Sequence, residues 1–166
     1  ASDVYKRQLQ DHDIDLLRDF GHTSITVARL ERGDLDENQA ALKLAKAMTN
    51  GALSASGGRT GRANLRANTA GIVLINAETI HRMNSVDEAL TISTVNPFDV
   101  VNHGQVVATV KVITFGVSEK IVEECVTIAL KNEPPVAIAP FNTALRSGFI
   151  QTTLPGLKDS IVAKAT

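Results

Sequence analysis

Gln105-Val-Val-Ala-Thr-Val-Lys-Val-Ile-Thr-Phe115 carries the strongest β signal in the chain. It is rich in β-branched residues, which pack well on a pleated surface, and His103-Gly104 supplies a turn at its entrance. Immediately before it, Ala89-Leu-Thr-Ile-Ser-Thr-Val95 reads as a second strand, ended by the Asn96-Pro97 turn. Immediately after it, Ser118 is placed to cap a helix that carries Ile121, Val122, Cys125, Ile128 and Ala129 on one stripe, and Pro134-Pro135 prevents that helix from continuing. Two strands followed by an amphipathic helix define a mixed α/β fold class.

Toward the N-terminus the same alternation of element types persists. Ala70-Gly-Ile-Val-Leu-Ile75 reads as a strand, with Asn76 capping a short helix through Met83. Gly51 to Gly61 is small, polar and glycine-rich, and reads as an exposed loop. Before it lies the clearest helix: Asp34 and Glu37 form a capping-box pattern, Ala41, Leu44, Ala45 and Met48 share one face, and Asn50-Gly51 ends it. Thr23 to Leu30 alternates like a strand, and Asp11 to Phe20 reads as a helix stopped at Gly21. The core expected from these elements comprises Ile72, Leu74, Leu90, Ile92, Val110, Val112, Ile121 and Ile128.

Residues 1–8 have no apolar periodicity and read as a non-native or disordered leader, so they take no part in the fold argument. Residues 9–141 are expected to form a mixed α+β accessory domain, with Pro135 to Phe141 as an extended link. Gly148-Phe-Ile-Gln-Thr-Thr-Leu154, the loop Pro155-Gly156-Leu157-Lys158 and a helix start at Asp159-Ser160 then read as the opening of an α/β unit. A parallel strand needs neighbours and covering helices, so residues 142–166 are expected to be the first part of an incomplete domain.

Charge is nearly balanced, with 17 Lys+Arg against 18 Asp+Glu. There is no basic surplus to indicate a nucleic-acid partner and no acidic tail to indicate disorder. No apolar run approaches the roughly 20 residues of a membrane span, and no signal peptide is visible. One cysteine without a pairing partner fits a reducing cytoplasm.

A family resemblance emerges from five segments taken in order: Val27-Ala-Arg-Leu-Glu-Arg-Gly-Asp-Leu-Asp-Glu-Asn-Gln-Ala-Ala41, Thr60-Gly-Arg-Ala-Asn-Leu65, Asn84-Ser-Val-Asp-Glu-Ala-Leu-Thr-Ile92, Gly104-Gln-Val-Val-Ala-Thr-Val-Lys-Val-Ile113 and Gln151-Thr-Thr-Leu-Pro-Gly-Leu-Lys158. Asp11 to Lys158 resembles the N-terminal half of a bacterial molybdopterin-binding protein, related to the molybdopterin molybdotransferases and often fused to a nucleotidyltransferase resembling molybdenum cofactor cytidylyltransferase. The resemblance implies a role in molybdenum cofactor biosynthesis, with molybdopterin as ligand or substrate and Mg as a further cofactor of the parent protein. It also implies a fused or associated nucleotidyltransferase domain and admits a homo-oligomer. The pterin and its phosphate are expected over strand ends, near backbone N–H groups at helix N-termini. Two alternatives accompany this reading: part of a molybdotransferase or nucleotidyltransferase enzyme, and a non-catalytic structural or interaction module.

The residues matched to that site are Thr152, Thr153, Gly156 and Lys158. Hydroxyls, an open backbone and an ammonium suit an anion at a strand-to-helix turn, while the same residues also serve a generic βα bend set by Pro155-Gly156. Both readings stay open on sequence. The resemblance places the glycine- and serine-rich loop and the acidic residue that complete the family's site beyond Thr166, so binding by these residues alone is expected to be weak or absent.

Other candidates read more simply. Arg59 and Arg62 stand among Gly57, Gly58 and Gly61 and suit an anion-receptive loop, yet the stretch lacks the Lys-Ser/Thr ending of a P-loop, and a solvated loop holding a strand start is the simpler account. Asp87-Glu88 reads as a helix-exit turn, because adjacent carboxylates on an extended chain face opposite ways. Cys125 reads as a small core residue. His12, His22, His81 and His103 are scattered without zinc-type spacing. Lys111 shares a face with Thr109 and Ile113, and is read as laying its stem on apolar surface with its charge in water. No catalytic set and no metal set is assembled from these residues.

Overall fold

The computed structural model describes residues 9–57, 60–131, 133–148, 150, 152, 155–156 and 160. In chain order the elements are α1 (Asp11–Asp19), β1 (Asp34–Asp36), α2 (Glu37–Ala47), β2 (Leu53–Gly57), β3 (Arg62–Ala67), β4 (Gly71–Ile75), α3 (Ala77–Asn84), β5 (Leu90–Thr94), β6 (Val100–Val101), β7 (Val106–Val112), β8 (Gly116–Ser118), α4 (Glu119–Leu130) and β9 (Val136–Pro140). The fold is mixed α/β, as the sequence led us to expect. Every strand pairing among the described residues is antiparallel.

The long β run becomes β7, an inner strand of a four-stranded sheet ordered β2-β3-β7-β5. Its alternation sends Val107, Val110 and Val112 to the core, where they join Ala63, Leu65 and Ala67 of β3 and Leu90 and Ile92 of β5. A register shift at Leu65/Arg66 lets both Val107 and Ala108 turn inward. The inner face is covered by α2, which packs against β2, β3 and β7. Ala40, Ala41 and Ala45 have little side chain, so helix and sheet approach closely around Leu44 and Met48. α4 packs beside α2, and α3 against α4 and β5.

A second sheet, β6-β4-β9, buries Val73, Val101, Val136 and Ile138. The segment from Val136 to Pro140, expected to be an extended link, is thus the partner of β4 along its whole length. A third pair, β1 with β8, ties the entrance of α2 to the entrance of α4.

Several expectations are corrected. Thr23 to Leu30 forms no strand: Ile25 and Val27 are exposed and the backbone pairs with no neighbour among the described residues, and alternation without a partner cannot satisfy a strand's hydrogen bonds. The stretch from Gly51 to Gly61 is not all loop, since β2 pairs there with β3 from Leu53 to Gly57. Small residues hid it. In β4 the buried side is Val73, while Leu74 is exposed and Ile72 half-buried; a continuous apolar run gives no phase by itself. Ile121 and Ile128 lie at the margin of α4's stripe, whose buried centre is Val122, Cys125 and Ala129. The cap of α2 is Asp36, whose carboxylate accepts from the N–H groups of Asn38 (2.8 Å) and Gln39 (2.9 Å). Asp34 instead accepts from the N–H of Glu31, because Asp34 to Asp36 is held extended against β8.

The tightest junction lies where β3 begins beneath the first turn of α2. Gly61 is buried at φ +69, donates its N–H to Asn38 Oδ1 (2.9 Å) and accepts from Val112 N–H (2.7 Å). A Cβ there would lie 2.5 Å from the Val112 carbonyl oxygen and within 3.2 Å of the Glu37 side chain. Gly61→Ala is therefore expected to destabilise the protein by about 2 kcal/mol or more. Gly104→Ala, at φ +82 but with open space around it, should cost only about 1 kcal/mol for its left-handed backbone. Urea denaturation of the two variants measures the difference, and equal costs would show that the junction yields without strain.

Candidate functional site

The site expected at the C-terminal end falls partly on described residues. Thr152 is exposed and outside any helix or strand; Pro155 and Gly156 form a turn with Gly156 at φ +92, a conformation glycine adopts at no steric cost. Ile150, in the expected strand, is 90% exposed. Thr153 and Lys158 lie outside the described residues, as do Phe149, Leu154 and Asp159.

The glycine–arginine loop is resolved into structure and surface. Gly61 is committed to the junction beneath α2, and Arg62 begins β3 with its side chain exposed. Arg59 lies outside the described residues. Within the Asn84 to Ile92 segment, Asn84 is a clamp: its Oδ1 accepts from Ile92 N–H (2.7 Å) and its Nδ2 donates to the Ile92 carbonyl (3.0 Å), fastening the end of α3 to the middle of β5. Asp87 accepts from Ala89 N–H (2.8 Å), completing the turn between them, and Glu88 is exposed. The pair forms a helix exit, as its spacing suggested.

Cys125 is fully buried on α4, with Sγ 3.6 Å from the Met83 carbonyl oxygen. Burial, aided by the carboxylates of Glu124 and Asp87, pushes its thiol up to about 11, so the thiolate needed for nucleophilic chemistry is scarce at neutral pH. The four histidines are exposed; His12 Nε2 lies 3.4 Å from Asp13 Oδ1. Among the described residues no cluster of three or more His, Cys, Asp or Glu side chains is arranged to hold a metal ion. Between α3 and α4 an open depression is lined by Glu78, His81, Arg82, Ser85, Glu124 and Ile128. On the other side of α4, Lys43 of α2 bridges Glu119 and Glu123, whose hydrogen bonds hold its ammonium above the usual lysine range.

The outer faces of the two larger sheets differ in character. On the four-stranded sheet, Arg62 of β3, Lys111 of β7 and Thr91 of β5 form one cross-strand row; Asn64, Thr109 and Ser93 form the next, and Arg66 lies beyond. On the three-stranded sheet, Ile72 faces Val100 and Ala139, and Leu74 faces Ala137, so this outer side is apolar throughout. Phe98 flanks it, 73% exposed, its N–H bonded to the Val73 carbonyl (2.7 Å) at φ +68, a rare conformation for a bulky residue. Neither face emerges from the sequence reading, which places β2 in a loop, gives β3 only a strand start and offers no strand at β6. The signal was present in Arg62-Ala63-Asn64-Leu65-Arg66-Ala67, which alternates polar and apolar without a break.

Compared with known proteins, the chain matches no family model, no curated protein and no solved structure. No helix among the described residues is long and apolar enough to cross a membrane.

The thiol of Cys125 provides a test of the core's response to pH. Its folded value is raised from about 9.0 to about 11, so the folded protein retains a proton that the unfolded chain releases. The associated stability is complete below about pH 9 and is lost as pH rises toward about 11. Cys125→Ala should flatten the fall in unfolding free energy across that window, measured by urea denaturation at a series of pH values. A slope identical to that of the parent protein would remove the thiol as its cause.

Proposed function

We propose that this chain belongs to a cytoplasmic molybdopterin-binding protein of molybdenum cofactor biosynthesis, with residues 34–140 acting as a non-catalytic platform. The residues beyond Phe141 then supply one wall of the pterin site through Thr152, Thr153, Gly156 and Lys158. The supporting observation is the convergence of three of the matched segments at one point. Asn38 from the first, Gly61 from the second and Val112 from the fourth meet in two hydrogen bonds, so the ordered resemblance corresponds to one architectural unit. The third segment is likewise closed on itself by Asn84 and Ile92. Those residues are occupied in holding the platform together, which supports the reading that recognition of the pterin falls to the fifth segment. There Gly156 has a positive φ, the kind of backbone turn from which anion-binding nests are built.

A second reading, an interaction module, is favoured by the apolar outer side of β6-β4-β9. An antiparallel sheet normally presents polar residues to solvent, and a contiguous apolar face marks a contact surface.

Equilibrium titration with molybdopterin tests the first reading. In a protein carrying the completed pterin site, Lys158→Ala should weaken binding by about 1–3 kcal/mol, the range for losing a charge-assisted hydrogen bond, whereas Glu88→Gln should leave it unchanged. Equal affinities of the parent and Lys158→Ala proteins would dismiss the strand-end site and leave the interaction module.

A further inference from the structure

The outer face of the four-stranded sheet carries charge of one sign only. Arg62 and Lys111 stand directly opposite each other across β3 and β7, and like charges so placed on neighbouring strands repel. Among the described residues, no ion pair or hydrogen bond engages either side chain. Arg66 lies on the same face, its guanidinium steadied by a hydrogen bond from Nη1 to the Gly104 carbonyl (2.8 Å). The remaining positions in the paired rows are Ser, Thr, Asn and Val; none is a carboxylate or an aromatic. In a chain of net charge −1, this segregation leaves the face in want of an anion.

We propose that this face docks an acidic protein segment in extended conformation, lying along β3 with its carboxylates on alternate residues. Arg62, Asn64 and Arg66 project from the same side of β3 at intervals of about 7 Å, the repeat of alternate residues in any extended chain. The Thr109 hydroxyl donates to Asn64 Oδ1 (2.8 Å), which commits the amide oxygen and leaves the amide N–H groups as donors between the two guanidinium groups. The first carboxylate sits between Arg62 and Lys111, relieving their repulsion, and the third meets Arg66. An open sheet face suits a macromolecular partner better than a small ligand, which requires concavity. The absence of aromatic rings removes the stacking platform that single-stranded nucleic acid uses, and the balanced overall charge removes the long-range attraction that accompanies nucleic-acid binding.

Fluorescence anisotropy with a labelled peptide of alternating Glu and Ser tests the proposal on the whole chain. Binding should be seen at low ionic strength and weaken as salt is added. The double variant Arg62→Gln/Lys111→Gln should bind about tenfold or more weakly, the loss expected when close charge pairs across an interface are removed, while Lys120→Gln on α4 should bind as the parent does. The double variant should also unfold at a urea concentration no lower than the parent's, because it removes a repulsive pair. Unchanged peptide affinity in the double variant would overturn the proposal. So would tighter binding of a single-stranded oligonucleotide of matching length, or displacement of the peptide by pyrophosphate at equal charge concentration, which would assign the face to nucleic acid or to a small phosphate ligand.

Discussion

The seating of β3 under the first turn of α2 is the constraint on which the rest of the architecture depends. Gly61 must be without a side chain, because its α carbon faces the Val112 carbonyl and the stem of Glu37. It must also turn left-handed, so that one peptide group reaches Asn38 while its own carbonyl receives Val112. Those two bonds place α2 across β3 and β7, and the alanine-rich side of the helix then closes on Leu65, Val107 and Val110. Interiors are close-packed and transmit strain, so the position of α2 in turn sets that of α4, which Lys43 bridges through Glu119 and Glu123.

That arrangement explains why the matched segments carry so little chemistry of their own. Polar residues that look reactive in a linear reading are engaged in local architecture: Asp36 caps a helix, Asp87 closes a turn, and Asn84 spans from α3 to β5. Groups with no such engagement lie on the sheets' outer faces, where the backbone is already satisfied by neighbouring strands. One of these faces is cationic and the other apolar. Two different surfaces on one platform fit a protein that works by holding other elements in place, and in the proposed function those elements include the pterin-binding segment that follows β9.

Element types were readable wherever a periodic apolar pattern was backed by a local signal. Asn76 before α3, Pro134-Pro135 after α4 and the turns around β7 each combine a propensity with a stop or a cap. Errors arose where one half of that evidence was missing. Thr23 to Leu30 had the alternation but no partner, and β2 had a partner but, in Leu53-Ser-Ala-Ser-Gly57, too little apolar bulk to advertise it. Of the matched site residues, Gly156 sits in a turn whose geometry Pro155-Gly156 announces. Whether hydroxyls and an ammonium gather around a ligand depends on neighbours that no local pattern encodes.

The sequence by itself determined the mixed composition of helices and strands, the inward face of β7, the buried, unreactive character of Cys125 and the end of nearly every helix. Each of these follows from interactions within a few residues: side-chain alternation, capping and ring closure at proline. Tertiary structure alone decided which strands became neighbours, that all of the described pairings run antiparallel, and that Arg62 would meet Lys111 across a distance of 49 residues in the chain. Strand pairing is chosen by the free energy of burying one face of the whole sheet under α2. That sum runs over the entire core, so no single segment contains it.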